Sequence, residues 1–350
     1  MTEIPENTTA PQYRFADELP RPVAFVLAGG ASFGSIQVGQ LRALADSDLT
    51  PDFVVGTSVG SLNGAVVAQD PAAAPERLTE LWTTATREEV FGGMLSTAEK
   101  VATGSPAAVP NDGLRGLIER AVSAKDFADL QIPHTAMATD FDTGHAVPIS
   151  EGELVTALLA SAAIPAVFPP IVRDGVRLVD GGLVANVPIS QAVGQGARTI
   201  VVLDCGFTVL APDDENSLSG RIMRTLAIMA AQQVRRDMEG TEGLTVLHLP
   251  GPWPADTRPD NFSKSAELAD KAEELSREWL VGLEVDGPGV YGTSPADILS
   301  ERKAVLSDAA RDLAEEAGVL PVDDENRPIT AATEEVVESS ADSMVAAQIA

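Results

Sequence analysis

The chain has 350 residues, is 44% hydrophobic and carries a formal net charge of −28. A charge of this sign and size argues against a nucleic-acid partner and against simple electrostatic attraction to an anionic membrane. The length is sufficient for one large α/β core with a smaller appendage. The single cysteine, Cys205, excludes an internal disulfide and a multi-cysteine metal site, and we expect a buried, inert thiol.

The first residues show no secretory signal, because no basic region precedes an apolar one. We expect residues 1–20 to be a disordered lead. The longest apolar stretch, 154–168, is too short to span a bilayer and contains Ser161 and Pro165. The sequence therefore predicts a soluble, cytoplasmic protein whose contact with lipid surfaces, if lipid is the substrate, is peripheral and made through apolar residues.

The first half of the chain alternates predicted strands and helices. We predict strands at 23–27 and 53–56 and helices at 35–45, 59–69 and 75–84. This alternation indicates βαβ units and a mainly parallel sheet. From Arg87 to Val109 the periodicity weakens among glycines and a proline, which predicts a loop or cap near the site.

The second half is predicted to hold more strands and then helices. The pattern predicts strands at 135–139 and 146–149, a helix at 153–162, a hairpin turning at 173–176, a central strand at 199–203, a helix at 217–238, a last strand at 244–249, and acidic helices at 263–281 and 295–317. Beyond residue 321 the chain is polar and acidic, and we expect disorder.

Ser58 lies in a GxSxG pentapeptide, Gly56-Thr57-Ser58-Val59-Gly60, between a predicted strand and a predicted helix. In a strand-turn-helix elbow, a sharp and strained turn lifts the serine hydroxyl clear of the backbone. Glycines two positions away on either side, here Gly56 and Gly60, let the strand and helix pass without side-chain collision. The pattern predicts a nucleophilic serine.

A glycine-rich segment, 28–34, follows the first predicted strand and opens a helix. Unpaired N–H groups at a helix start favour negative charge and can hold the oxyanion of an acyl-transfer intermediate. A dinucleotide loop has the same strand-glycine-helix order, but Ala31 stands where GxGxxG requires glycine. The sequence contains no GxxxxGK[ST], which argues against a P-loop.

A serine hydroxyl is a weak nucleophile until a neighbouring base takes its proton. One solution is a triad in the order Ser, Asp, His, with Asp180 or Asp204 and with His248. The other histidines open a predicted strand, at His134, or lie in a predicted turn, at His145. None of the three has small residues around it that would present an imidazole to a serine.

The second solution is a carboxylate that acts directly. Asp180 ends an apolar strand and is followed by Gly181 and Gly182, so its carboxylate can lie at the carboxyl edge of the sheet. Open α/β sheets place their sites at that edge. The alternative interpretation of Asp180-Gly181-Gly182 is a plain turn.

The glycine-rich segment, the GxSxG pentapeptide and Asp-Gly-Gly, in this order, together resemble the patatin-like phospholipase family. The resemblance covers residues 22–204 and continues more weakly to 249. Further family-like stretches are GTSVGSLNGA at 56–65, ATD at 138–140 with TG at 143–144, ASAAIPAVFPP at 160–170 and VDGGLVANVP at 179–188.

The resemblance implies a three-layer α/β/α fold with a mainly parallel central sheet. It also implies that Ser58 is the nucleophile and Asp180 the general base of a serine acyl hydrolase acting on acyl esters of lipids. No cofactor or metal is needed for that chemistry. The domains expected on this basis are a lead at 1–20, a hydrolase domain at 21–250, an acidic helical extension packed on it at 251–320 and a disordered acidic tail at 321–350.

By the same resemblance, the oxyanion hole is formed by N–H groups of the glycine-rich segment. The residues implied are Gly29, Gly30, Ala31, Phe33 and Gly34, with Gly56, Gly60, Gly181 and Gly182 as motif support.

Two positions depart from the family pattern, which reads Gly-Gly-Gly-x-Arg/Lys-Gly. Ala31 replaces the third glycine and restricts φ, and Phe33 replaces the basic residue. A neutral aromatic at that position favours an apolar acyl chain or a neutral ester. Two alternatives stay open, an acyltransferase on the same fold and a catalytically silent binding or scaffold protein.

Overall fold

The structure of the chain, a computed structural model, describes residues 18–92, 109–209, 218–253, 255 and 257–297. All of these residues except Asp297 belong to the same structural unit. Most of the predicted lead, residues 93–108 of the predicted loop, nearly all of the helix predicted at 295–317 and the predicted tail lie outside the described residues.

The described residues form one mixed sheet of nine strands. The strands are β1 (Val23–Leu27), β2 (Phe53–Thr57), β3 (His134–Asp140), β4 (Ala146–Ile149), β5 (Ile171–Arg173), β6 (Val176–Asp180), β7 (Thr199–Leu203), β8 (Thr245–His248) and β9 (Gly289–Tyr291). β1 pairs in parallel with β2 and β7, and parallel pairing continues from β2 to β3 and from β7 through β8 to β9. The pairs β3–β4, β3–β6 and β5–β6 are antiparallel, so the predicted mainly parallel sheet is confirmed.

Helices flank the sheet on both faces. They are α1 (Gly34–Ala45), α2 (Val59–Gln69), α3 (Ala74–Thr84), α4 (Arg87–Phe91), α5 (Asp112–Ala121), α6 (Leu154–Ser161), α7 (Gly182–Ala185), α8 (Ile189–Gly194), α9 (Leu218–Glu239) and α10 (Ser265–Val281). Among the described helices, none combines the length and hydrophobicity that crossing a bilayer requires.

Two hydrophobic cores lie on opposite faces of the sheet, because successive side chains of a strand point to opposite faces. In β1, Phe25 and Leu27 belong to the larger core with α1, α2, α3, α5, α6 and α10, whereas Ala24 and Val26 belong to the smaller core with α7, α8 and α9. All five residues of β1 are buried, as expected for a central parallel strand. The three-layer α/β/α architecture is thereby confirmed.

Several elements differ from the sequence-based prediction. The prediction missed α5, α7, α8 and β9, and it treated residues 87–91 as loop, where the structure has α4. Thr86 explains this helix, because its hydroxyl accepts a hydrogen bond from the N–H of Glu89 and so caps the first turn. α7, α8 and β9 have four, six and three residues, too few to show a hydrophobic period.

The acidic helix predicted at 263–281 is α10, which packs against α1. The two helices cross so closely that a Cβ atom on Gly39 would lie 2.0 Å from the carbonyl oxygen of Ala269. Arg42 of α1 forms ion pairs with Asp270 and Glu273 of α10. The described part of the range predicted as an extension, 251–320, thus contributes α10 to the larger core and β9 to the central sheet.

Candidate active site

Ser58 occupies a strained turn between β2 and α2. Its backbone has φ 53° and ψ −124°, in a region that residues other than glycine rarely adopt. A Cβ atom on Gly56 would lie 2.3 Å from the Gly60 carbonyl oxygen, and one on Gly60 would lie 2.2 Å from the Leu27 carbonyl oxygen. The two glycines are therefore required by close backbone approach, as the pentapeptide predicts.

Ser58 and Asp180 meet because β2 and β6 pair with the same lateral edge of β3 and end next to each other there. Ala138 pairs with both β4 and β6, so these strands lie on opposite sides of β3. Met137 pairs with both β2 and β4, so β2 also lies opposite β4. β2 and β6 therefore share one side, where β2 ends at Thr57 beside Met137 and β6 ends at Asp180 beside Ala138. They run in opposite directions, and their ends come together.

The two side chains are hydrogen-bonded and almost fully buried. The hydroxyl of Ser58 donates to Oδ2 of Asp180 at 2.7 Å, and the N–H of Gly182 donates to Oδ1 at 2.7 Å. Burial raises the pKa of Asp180 to about 6, against the opposing effect of the hydrogen bonds from Ser58 and Gly182. At neutral pH this carboxylate is mostly ionised and more basic than an exposed one.

The glycine-rich segment runs from β1 into a short 3₁₀ turn and then into α1. Within the described residues, Gly30 and Ala31 are the residues of this segment whose N–H groups lack a hydrogen-bond acceptor. The N–H groups that already donate to carbonyl oxygens are those of Ala28, Gly29, Ser32, Phe33 and Gly34. The structure thus narrows the five predicted oxyanion donors to two candidates.

The two departures from the family pattern have different structural consequences. Ala31 adopts φ 51°, a left-handed conformation that glycine adopts with less strain than any other residue, so alanine is held here in a backbone shape that favours glycine. The side chain of Phe33 is 2% exposed and belongs to the larger core. It therefore stabilises the start of α1 by packing.

Asn186, which the sequence analysis did not single out, ties the glycine-rich segment to the chain that follows Asp180. The N–H of Gly29 donates to the Asn186 carbonyl oxygen at 2.9 Å, and the side-chain amide of Asn186 donates to the Gly29 carbonyl oxygen at 3.3 Å. A Cβ atom on Gly29 would lie 2.6 Å from Oδ1 of Asn186. The only sequence signal for this residue was its place inside the stretch VDGGLVANVP.

Two cavities have Ser58, Ala31 and Ile164 in their walls. One has about 480 Å³ of space between its wall atoms, part of it open to solvent, and apart from Ser58 its wall is entirely aliphatic and aromatic. The other has about 490 Å³ of such space, also partly open to solvent, and is lined by Asp180, Asn186 and Gly182 among apolar residues.

The aromatic residues of the apolar cavity contact one another in a row. Ring centroids are 5.7 Å apart between Phe168 and Phe91, 6.2 Å between Phe91 and Phe262, and 5.8 Å between Phe262 and Trp82. The indole N–H of Trp82 donates to Oδ1 of Asn63 and so leaves its ring as apolar surface. The wall is suited to a hydrocarbon chain.

No histidine lines either cavity that contains Ser58. His134 and His248 are buried, their ring nitrogens have no hydrogen-bond partner among the described residues, and burial lowers the pKa of each to about 4. His145 is exposed. Asp204 is buried after β7 and lines neither cavity. The structure therefore brings Ser58 to Asp180 and to no histidine, and no cluster of metal-ligating side chains occurs in the part of the chain that it describes.

Comparison with known proteins supports the family resemblance. The family model described as patatin-like phospholipase matches residues 25–193. Patatin-like phospholipase domain-containing protein 7 of Mus musculus is 29% identical over 187 residues, 53% of this chain and 14% of that protein. Patatin-like phospholipase domain-containing protein 6 of Homo sapiens is 29% identical over 199 residues, 56% of this chain and 14% of that protein.

A fungal relative, lysophospholipase NTE1 of Mycosarcoma maydis, is 28% identical over 189 residues, 53% of this chain and 10% of that protein. The matches thus span only about a seventh or less of the length of these relatives. Among solved structures, VipD from Legionella pneumophila aligns with a TM-score of 0.39 and 13% identity, covering 75% of this chain and 67% of that one. The resemblance to the patatin-like phospholipase family is thereby confirmed for residues 25–193, which include Ser58, Asp180 and the whole glycine-rich segment.

Proposed function

We propose that the protein is a serine acyl hydrolase that cleaves acyl esters of lipids, with Ser58 as nucleophile and Asp180 as general base. The observation that carries the proposal is the 2.7 Å hydrogen bond from the Ser58 hydroxyl to Oδ2 of Asp180, inside a cavity. A nucleophile within hydrogen-bond reach of its base is the arrangement that covalent acyl transfer requires.

Asp180 is suited to the role of base in two respects. The N–H of Gly182 holds Oδ1, so the other carboxylate oxygen is left to Ser58. A pKa of about 6 places the carboxyl near the pH at which it can both accept and return a proton. Because the base must be ionised, we expect activity to rise as the pH rises through about 6.

The N–H groups of Gly30 and Ala31 are the proposed oxyanion donors. Both residues line a cavity with Ser58, and both N–H groups are without an acceptor among the described residues. Such donors stabilise charge that develops on the carbonyl oxygen, and each is worth about 3 kcal/mol of transition-state stabilisation.

The proposed reaction has two stages. Asp180 takes the proton of the Ser58 hydroxyl as Oγ attacks the ester carbonyl carbon, and the oxyanion is held by the N–H groups of Gly30 and Ala31. The intermediate collapses to an acyl-serine while Asp180 gives its proton to the leaving alkoxide oxygen. Water then attacks the acyl carbon while Asp180 takes one of its protons; the bond between that carbon and Oγ breaks, Asp180 returns the proton to Oγ, and the fatty acid leaves with Ser58 and Asp180 restored.

The proposed substrate is a lipid ester whose acyl chain occupies the apolar cavity beside Ser58. The aliphatic and aromatic wall supports this assignment, since it offers no polar partner other than Ser58 to the chain. The names of the relatives, phospholipases and a lysophospholipase, support a lipid substrate in general. Contact with a lipid surface would be peripheral and cytoplasmic, through exposed apolar side chains such as Phe141 and Val172.

The test is hydrolysis of p-nitrophenyl esters of graded chain length by wild type, Ser58→Ala and an exposed-serine control, Ser150→Ala. We expect turnover by wild type and by the control and none by folded Ser58→Ala, which should also lose labelling by a fluorophosphonate. An inert, unlabelled wild type would favour the silent binding protein. Loss of activity in folded His248→Leu would instead favour the triad.

A further inference from the structure

Ser161, the last residue of α6, contacts the backbone on both sides of the Ser58–Asp180 pair. Its hydroxyl accepts a hydrogen bond from the N–H of Ser58 at 2.9 Å and donates to the Met137 carbonyl oxygen at 2.5 Å. Its carbonyl oxygen accepts a hydrogen bond from the N–H of Gly181 at 3.2 Å. Ser161 is completely buried, so solvent does not compete for these bonds.

The hydroxyl completes the β2–β3 ladder at the point where β2 turns away. Val54 donates its N–H to the Pro133 carbonyl oxygen. In a parallel pair, the same kind of hydrogen bond recurs at every second residue along the two strands. Counting four residues along both strands, the N–H of Ser58 corresponds to the carbonyl oxygen of Met137. Ser58 has left the strand conformation, with φ 53°, and the Ser161 hydroxyl bridges the two groups instead.

The end of α6 holds the other partner as well. The N–H of Asp180 donates to the Ala163 carbonyl oxygen at 3.0 Å, and the N–H of Gly181 donates to Ser161. Ser58 and Asp180 belong to segments 122 residues apart in the chain. The end of α6 is thus a common support for both segments.

We propose that Ser161 is a positioning residue, whose hydroxyl fixes the strained Ser58 backbone relative to the Asp180 segment so that the Ser58 hydroxyl reaches Asp180. This inference rests on the proposed hydrolase function. Ser161 itself touches neither carboxylate oxygen and takes no part in proton transfer.

Removal of the hydroxyl has a specific consequence for proton transfer. In Ser161→Ala, the buried N–H of Ser58 and the carbonyl oxygen of Met137 both lose their partner, and the elbow can shift. The hydrogen bond from Ser58 opposes the rise in the pKa of Asp180, so weakening it raises that pKa further. The acidic limb of the pH–rate profile therefore moves to higher pH, which a purely structural role would not cause.

The experiment compares wild type, Ser161→Ala and Ser276→Ala on a p-nitrophenyl ester across pH. Ser276 is the matched control, because it is also completely buried and its hydroxyl donates to a backbone carbonyl oxygen, that of Pro250. In Ser161→Ala we expect kcat to fall about 10- to 100-fold, KM to change little and the acidic limb to move upward. Ser276→Ala should keep the wild-type kcat and pH profile.

A folded Ser161→Ala with the wild-type kcat and acidic limb would overturn the proposal. If that variant does not fold, Ser161→Cys is measured instead, since its thiol is a weak donor and acceptor of similar size, and the same shift is expected to be smaller. An unchanged acidic limb in Ser161→Cys would equally overturn the proposal.

Hydrogen–deuterium exchange separates this proposal from the proposed function. The peptide that contains Ser58 should exchange faster in Ser161→Ala than in wild type or Ser276→Ala, whether or not any ester is hydrolysed. If wild type is inactive but the Ser58 peptide still exchanges faster in Ser161→Ala, the proposed hydrolase function is wrong and the proposed support of Ser58 by Ser161 stands. If wild type is active and the exchange rates do not differ, only the proposed role of Ser161 is wrong.

Discussion

Asp180 and Asp204 have nearly the same local structure. One ends β6 and the other directly follows β7, and each accepts a hydrogen bond from the N–H two residues further on, Gly182 at 2.7 Å and Gly206 at 2.8 Å. Both side chains are buried, and burial raises the pKa of each carboxyl to about 6. Local sequence and burial therefore do not distinguish them.

The second carboxylate oxygen separates the two residues. Oδ2 of Asp180 accepts the Ser58 hydroxyl bond in a cavity, whereas Oδ2 of Asp204 is buried without a hydrogen-bond partner among the described residues. A perturbed pKa alone is thus insufficient to identify a base, because a base also needs a nucleophile and space for a substrate.

The turn after Asp204 packs against the glycine-rich segment. Cys205 lies beneath the glycine-rich segment, and a Cβ atom on Gly30 would come within 2.5 Å of Cys205 Cβ and 3.1 Å of its Sγ. The thiol is buried and its pKa is raised well above the ordinary value by burial. We infer that the Asp204 turn shapes the proposed oxyanion loop, while Asp180 acts on Ser58.

The largest expected effect comes from replacing Asp180 with asparagine, compared with the same replacement at Asp204. Asp180→Asn removes the proposed base at nearly constant shape, and we expect kcat/KM on a p-nitrophenyl ester to fall by about 10²- to 10⁴-fold. Asp204→Asn is the matched control and should stay within about threefold of wild type, since asparagine keeps an oxygen that can accept the Gly206 N–H bond of the turn and this carboxylate touches no reacting group. With folding checked by circular dichroism, an equal loss in both variants would contradict the distinction.

An intermediate effect is expected from Gly30→Ala. The added Cβ collides with Cys205, so the loop must shift, and displaced oxyanion donors should lower kcat by about 10- to 100-fold. The double variant Gly30→Ala/Cys205→Gly removes the colliding atoms and should recover much of this loss. Gly116→Ala is the control, because a Cβ at that position in α5 meets nothing within 4 Å. Equal activities of the Gly30 and Gly116 variants would refute the close packing.

The smallest effect concerns stability and its dependence on pH. The pKa of Asp204 is about 6 in the folded protein against an ordinary value of 3.8, so its favourable contribution is complete below about pH 4 and is lost as the pH rises through about 6. The unfolding free energy of Asp204→Asn relative to wild type should therefore increase between pH 4 and 7, by on the order of 2 kcal/mol. Urea unfolding of both proteins at several pH values measures this difference in unfolding free energy. If the difference stays constant or falls as the pH rises, burial does not disfavour the ionised Asp204 carboxylate.

Elements with strong local signals could be predicted from the sequence. β1 and α2 coincide with the predicted ranges, because β1 is a short apolar run and α2 directly follows the GxSxG turn, and both signals lie within a few residues of the chain. The hairpin at β5–β6 was predicted from Asp174-Gly175, which occupies the turn with both φ values positive. These features depend on neighbours within a few residues.

Other elements depend on packing partners that are distant in the chain. Residues 289–291 form β9 because β8 offers an open edge, and three residues carry no detectable alternation. The contacts of Ser161 and Asn186 with the site arise from segments more than 100 residues away. Nothing in their immediate sequence indicates those partners.

By itself, the sequence determined the fold class, the elbow at Ser58 and the candidate residues, because glycine spacing and hydrophobic periodicity are local constraints. Only the tertiary structure decided that Ser58 meets Asp180 rather than Asp204 or His248, and that two N–H groups of the glycine-rich segment have no acceptor among the described residues. The physical reason is strand register: β2 and β6 end against each other along one side of β3, and such long-range pairing is not encoded in either strand alone.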